Sequence, residues 1–152
     1  MNIISKFKCD IKGLDDFAKQ LAIKNNLGDI YLLRGDLGVG KTTFSRSLIN
    51  HMHDINKLER PINIKSPSFP IMINYPLVDY EINHYDLYRL ADASDLIEIN
   101  FYENLEKNIS IIEWPEIILK DFKLYNYFLI DFNIIDQNNR FVKLQHTKKF
   151  FL

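Results

Sequence analysis

The sequence predicts an α/β fold, and three observations carry the prediction. A glycine-rich loop joins a short apolar run to a helix-periodic stretch. Helical and extended periodicities then alternate, and the last part of the chain reads as two β-rich stretches around a polar turn. With 152 residues the chain has the size of one domain, spanning residues 1–152, able to bury about two thirds of the surface its unfolded form exposes. A content of 47% hydrophobic and 26% charged residues argues for a globular rather than a disordered chain. The net charge of −1 gives no global attraction to nucleic acid, leaving only local patches. Cys9 is the only cysteine, which excludes an internal disulfide and a cysteine-cluster zinc site and suits a reducing compartment. No apolar run approaches the length of a membrane span, and residues 1–10 lack a long apolar core. A soluble, cytoplasmic protein without a membrane partner is expected.

The elements follow in order. Leu14, Phe17, Ala18, Leu21 and Ala22 recur at helical spacing and predict an amphipathic helix that ends near Leu27-Gly28. Residues 29–34 form a short, β-rich run that reads as a buried strand. After the glycine loop, Phe44, Leu48 and Met52 share one helical face by i, i+4 spacing, with Ile49 beside them. Residues 61–65 predict a short strand, and the two prolines of residues 66–70 a break. Residues 71–75 and 80–88 read as extended segments around a turn at 76–79. Residues 92–105 read as a helix and 109–112 as a compact strand, after which Pro115 is placed to open a short helix. Residues 125–135 and 141–147 read as a hairpin joined by Asp136-Gln137-Asn138-Asn139.

Function concentrates in the glycine loop. Three of the five glycines fall in Gly35-Asp36-Leu37-Gly38-Val39-Gly40-Lys41-Thr42-Thr43, which fits the phosphate-binding pattern G-x-x-x-x-G-K-[ST] at every fixed position. Phosphate oxygens need close backbone N–H donors, and Gly38 and Gly40 let the chain curl around them. The helix that follows adds its free amides and partial positive charge. Lys41 supplies a point charge to the β- and γ-phosphates, and the Thr42 hydroxyl is a ligand for Mg²⁺. Asp36, Leu37, Gly38, Val39, Gly40, Lys41, Thr42 and Thr43 are therefore the candidate binding residues for a nucleotide with Mg²⁺. The order strand, loop, helix separates this motif from a chance glycine turn.

Two carboxylates can complete the chemistry. Glu113 ends an apolar strand, where nucleotide-binding folds present a carboxylate to a metal or to the attacking water. Asp86 lies in His84-Tyr85-Asp86-Leu87-Tyr88-Arg89, where alternation places His84, Asp86 and Tyr88 on one side. The competing reading makes both acids solvated, as helix caps or ion-pair partners. Trp114 reads equally as a core aromatic. His51 and His53 have no companions at metal spacing and read as exposed residues at a helix end. Lys148 and Lys149 read as solvated surface beside Phe150 and Phe151.

These segments also carry a family resemblance. The loop from Gly35, Ser-Pro-Ser-Phe from Ser66, His-Tyr-Asp-Leu-Tyr-Arg from His84 and Ile-Glu-Trp-Pro-Glu from Ile112 occur in the order and spacing of the TsaE family. On these motifs, which reach to Glu116, the sequence resembles the small bacterial ATPases of tRNA threonylcarbamoyladenosine biosynthesis. The resemblance implies a P-loop NTPase-like three-layer fold, with a central, mainly parallel sheet flanked by antiparallel strands. It implies that Thr42 and Glu113 hold Mg²⁺, with Asp86 as a further candidate ligand that assists hydrolysis. Lys41, Asp86 and Glu113 are then the catalytic candidates, Ser68 a switch-like hydroxyl, and Trp114 a neighbour of the nucleotide. It also implies TsaD and TsaB as protein partners, and contact with tRNA indirectly through their complex. Three positions depart from the family pattern. Ser68 stands for a threonine and keeps the hydroxyl, Leu14 stands where the family has a threonine near the adenine, and Asn100 stands for a glycine.

Two other classes share the loop. A small-molecule kinase would carry an arginine-rich lid after the middle strands, and none is evident. A GTPase-like switch would carry a late Asn-Lys-x-Asp element, whereas Asn56-Lys57-Leu58-Glu59 comes early and ends in Glu. With no arginine evidently aimed at a transition state beyond Arg89, weak hydrolysis by the chain alone and stimulation by partners are expected.

Overall fold

The apolar run before the glycine loop lies at the centre of a single seven-stranded sheet in the computed structural model, which describes residues 2–147. The strands are β1 (Asn2–Cys9), β2 (Ile30–Arg34), β3 (Met72–Pro76), β4 (Glu81–Asp86), β5 (Ile109–Glu113), β6 (Phe128–Ile134) and β7 (Arg140–His146), in the order β1-β7-β6-β2-β5-β4-β3. The four inner strands β6, β2, β5 and β4 run parallel. β7 and β1 extend one side antiparallel, and β3 closes the other as a hairpin with β4. Buried on both faces, β2 and β5 are mainly apolar, as parallel strands are, with Ser110 the polar residue inside β5.

Helices cover both faces and give three layers. Helix α1 (Ile11–Ile23) opens at Asp10, whose carboxylate accepts from the Gly13 N–H at 2.9 Å. It buries Leu14, Phe17, Ala18 and Ala22 beside α2 (Lys41–Ile55), which buries Phe44, Leu48, Ile49 and Met52 against the sheet. The other face is closed by a 3₁₀ helix (Ala93–Ile99), α3 (Phe101–Lys107) and two short 3₁₀ turns, packed on Ile30, Leu32, Tyr85 and Ile112. Burying one such aliphatic or aromatic side chain contributes about 1.5–3 kcal/mol, so both layers hold the sheet firmly.

Four expectations need correction. Residues 61–65 form no strand, because Asn63 takes a left-handed φ of 57° that ends any extended run. Residues 92–105 are two helices rather than one, broken where Asn100 adopts φ 54° and ψ 37°. His51 and His53 are buried, the first against Asp15 at 3.0 Å and the second against the Ile49 carbonyl at 2.8 Å. Strand β1 occupies a segment to which the sequence reading gave no element. Helix α1 ends at Ile23 rather than near Leu27-Gly28, and the remaining elements fall close to where periodicity placed them, including the turn opened by Pro115 and the terminal hairpin. No helix among the described residues is long and apolar enough to cross a membrane. The reading of Lys148, Lys149, Phe150 and Phe151 lies outside the described residues.

Candidate nucleotide-binding site

The glycine loop leaves the C-terminal end of β2 and enters α2, so it sits where parallel strands point their carboxyl ends. Two of its glycines are required by geometry. A Cβ on Gly35 would meet the Phe132 carbonyl oxygen at 2.7 Å and Val39 at 2.9 Å. Gly40, the residue that starts α2, has φ 116°, a region closed to residues with side chains. The loop is therefore wedged against β6 at one end and turned sharply into the helix at the other.

Lys41 is 5% exposed, and its ammonium donates to the carbonyls of Gly35 and, at 3.0 Å, Asp36. The same Nζ lies 3.8 Å from the centroid of the Trp114 ring. Burial lowers the lysine pKa, and the carboxylates of Glu113, Glu116, Asp86 and Asp36 oppose that shift. A desolvated cation held over an aromatic face and two carbonyls is poised for an anion.

Neither acid is solvated: Glu113 is 1% and Asp86 5% exposed. They are register partners on the parallel strands β5 and β4. Glu113 accepts from the Thr42 hydroxyl at 2.9 Å through Oε1, and its Oε2 lies 2.9 Å from His84 Nε2. Asp86 accepts from the Ser66 hydroxyl and, at 3.0 Å, from the Tyr88 N–H. Each carboxylate thus has two of its roughly four lone-pair sites occupied and the rest available. Tyr88, placed by alternation beside His84 and Asp86, lies past the end of β4 and turns its ring to Trp114, 4.7 Å between centroids.

Trp114 has φ 57° directly before Pro115, a strained backbone for a bulky residue. Such a residue costs about 1–3 kcal/mol and persists where its surroundings hold it. Here its N–H donates to the Leu33 carbonyl at 3.3 Å, and its half-buried ring spans Lys41 and Tyr88. Lys41, Thr42, Ser68, Asp86, Glu113 and Trp114 line one open cleft of about 300 Å³. The predicted residues Leu37, Gly38, Gly40 and Thr43 border it as well, while Val39 lies on the neighbouring side of the loop. Asp36 contributes its carbonyl to Lys41 rather than a side chain. No arginine lines the cleft among the described residues, and Arg89 is exposed over the Phe69 ring at 5.9 Å.

Sequence reasoning missed two members. His84, which holds Glu113, was visible only as the alternation partner of Asp86. Arg140 carried no signal, since it comes from the far hairpin: its Nε donates to the Val39 carbonyl at 2.8 Å and its Nη1 to the carbonyls of Asp136 and Asn139. Beside it, a second depression of about 450 Å³ runs along Ile11, Leu14, Val39, Gln137 and Asn138.

Comparison with known proteins agrees with this arrangement. The family model described as threonylcarbamoyl adenosine biosynthesis protein TsaE matches residues 10–142. The tRNA threonylcarbamoyladenosine biosynthesis protein TsaE of Rickettsia typhi is 36% identical over 92% of this chain and 93% of its own length. Its counterpart in Rickettsia felis is 40% identical over 81% of this chain and 68% of its own. Among solved structures, Bacillus YdiB superposes with a TM-score of 0.66 over 95% of this chain and 86% of that one, at 20% identity, a likeness of fold. With the match spanning the glycine loop, both carboxylates and Trp114, the chain belongs to the TsaE family.

Proposed function

We propose that this protein binds ATP with Mg²⁺ in the cleft and hydrolyses it as the ATPase of the tRNA threonylcarbamoyladenosine machinery, acting with TsaD and TsaB. One observation carries the reading: Lys41, the Thr42–Glu113 pair and Asp86, drawn from two strand ends and one helix start, converge in front of a phosphate-binding loop. The relatives named for this biosynthesis supply the process.

The donors fit the cofactor. Thr42 Oγ1 and the Glu113 carboxylate are hard oxygens 2.9 Å apart, with Asp86 beside them in register. No three His, Cys, Asp or Glu side chains among the described residues form a metal cage, and Mg²⁺ is suited to such a site because it keeps waters and shares phosphate oxygens. Thr42 and Glu113 would hold it, with Asp86 as the neighbouring acceptor, and bound Mg²⁺ neutralises charge on the β- and γ-phosphates.

The chain's own groups do the rest. Loop amides and the Lys41 ammonium take the phosphates, the lysine exchanging its carbonyl partners for phosphate oxygens. Asp86, fixed by Ser66 and the Tyr88 N–H, keeps free lone pairs for orienting a water and receiving its proton. Ser68 belongs to residues 66–70, a segment that closes over the γ-phosphate as a switch. The base rests in the depression beside Leu14, held by packing and by the hairpin tip, since leucine offers no hydrogen bond. With Lys41 as the sole cleft cation among the described residues, turnover by the chain alone is slow, and a docked partner completes the site.

Trp114 is the only tryptophan, so its fluorescence reports on the cleft. Titration with ATP and Mg²⁺ should change the emission saturably. Lys41→Ala should weaken binding at least about tenfold, the loss expected for a charge-assisted contact to phosphate. Equal affinity in the variant would contradict the assignment.

A further inference from the structure

Beyond the nucleotide cleft, the sheet face of β1, β7 and β6 opposite α1 carries no helix, and its register sorts the exposed side chains into rows. Lys6 pairs with Lys143, Lys143 with Asp131, and Asp131 with Arg34, giving one straight row across four strands. The next row runs from Lys8 through Phe141 to Asn133. Most of these residues border one shallow depression of about 470 Å³.

The charge in the first row is unbalanced. Asp131 is shared between Arg34, which bonds both its oxygens at 2.5 and 3.1 Å, and Lys143 at 3.4 Å. Lys6 has no ion pair among the described residues, and it stands directly opposite another lysine, an arrangement that weakens strand pairing. Glu116 acts on Arg34 and Asp136 on Lys8 only from the margins. A chain of net charge −1 thus gathers four cations and one buried carboxylate on an open face. Phe141, 36% exposed, lies between a lysine and an asparagine in the second row.

We propose that this face binds the backbone of RNA, with Lys6, Lys8, Arg34 and Lys143 on phosphates and Phe141 stacking on a base. Cations gathered on adjoining strands of one open sheet face suit a polyanion, and an exposed aromatic flanked by a cation and an amide suits an unpaired base better than an acidic polypeptide. The proposal rests on the register rows and not on ATP hydrolysis.

The test is fluorescence anisotropy of the full chain with a labelled, in vitro transcribed tRNA between about 50 and 200 mM salt. Binding should fall with salt at a log–log slope of about −3, as four phosphate contacts require. Lys6→Glu/Lys143→Glu should lower affinity at least about tenfold and flatten the slope by at least about 1. Lys6→Glu/Lys8→Glu, which touches no ion pair, should do the same and guards against loss of the Asp131 network. Phe141→Ala should weaken binding about fivefold or more with the slope unchanged. Thermal unfolding and the Trp114 titration with ATP should stay as in the wild type, so a failed nucleotide reading leaves this result interpretable. Undetectable binding at low salt, or charge-reversed variants that bind as well as the wild type, would overturn the proposal. So would polyglutamate binding as tightly as tRNA with Phe141→Ala affecting neither, which marks a face for acidic polypeptides.

Discussion

Glu113 is held by two side chains that sequence separates widely, Thr42 on one oxygen and His84 on the other. This double attachment fixes where the carboxylate points and divides its substitutions into two kinds. Glu113→Gln keeps the shape and one accepting oxygen while removing the charge, so ATP affinity should change by less than about threefold while turnover drops at least about tenfold. Glu113→Ala also strips His84 Nε2 of its partner at a site with no water access, adding about 1–3 kcal/mol of destabilisation. Thermal unfolding alongside steady-state turnover separates the two effects. If Glu113→Gln hydrolyses ATP normally, the acid is structural. At this scale much of the site was legible: the loop pattern named Lys41 and Thr42, and the end of an apolar strand named Glu113. His84 was not, because a buried histidine and an exposed one have the same local signature, and only the pairing of β4 with β5 brings it to Glu113.

Between elements, the β6–β7 hairpin buttresses the glycine loop from outside. Arg140 ties the Val39 carbonyl to the hairpin turn, while Phe132 of β6 crowds Gly35 at the loop's entrance. Arg140→Ala should loosen the loop and weaken ATP binding about fivefold to tenfold, the cost of one or two charge-assisted hydrogen bonds. Arg140→Lys should recover only part, since an ammonium cannot reproduce the planar fork. Isothermal titration with ATP checks both, and unchanged affinity in Arg140→Ala would make the contact incidental. The break between the 3₁₀ helix and α3 gives a second expectation. At φ 54°, Asn100→Gly should be neutral within about 0.5 kcal/mol, while Asn100→Ala should cost about 1 kcal/mol in denaturant unfolding, because Ala lacks the local hydrogen bonding that lets Asn tolerate left-handed backbone. The single helix read over residues 92–105 failed for this reason: its apolar spacing survives across the break, whereas the backbone reversal at Asn100 is silent in periodicity. The strand read over residues 61–65 failed in the same way at Asn63. β1 shows the reverse case, since Lys6-Phe7-Lys8-Cys9 does alternate, and the pattern acquires meaning only when β7 is present to pair with it.

Across the whole molecule, a parallel core with antiparallel extensions brings the candidate site residues together at the carboxyl ends of the parallel strands. Local sequence signals marked most of the elements but not their order. β7 lies between β1 and β6, and the Arg34–Asp131 pair spans 97 residues, a relation that no window of sequence contains. The arrangement also explains the expected dependence on partners. The cleft is open, its only lining cation among the described residues is Lys41, and the exposed side chains of Leu37 and Tyr88 border it without closing it. The most direct measurement is ATP turnover by the purified chain, alone and with a TsaD–TsaB complex, for wild type and Lys41→Ala. Turnover should be slow alone and rise at least about tenfold with the complex, as when a docked partner orders an incomplete phosphoryl-transfer site, and Lys41→Ala should show none under either condition. Fast hydrolysis independent of the complex, or stimulated hydrolysis that survives Lys41→Ala, would contradict the proposed function.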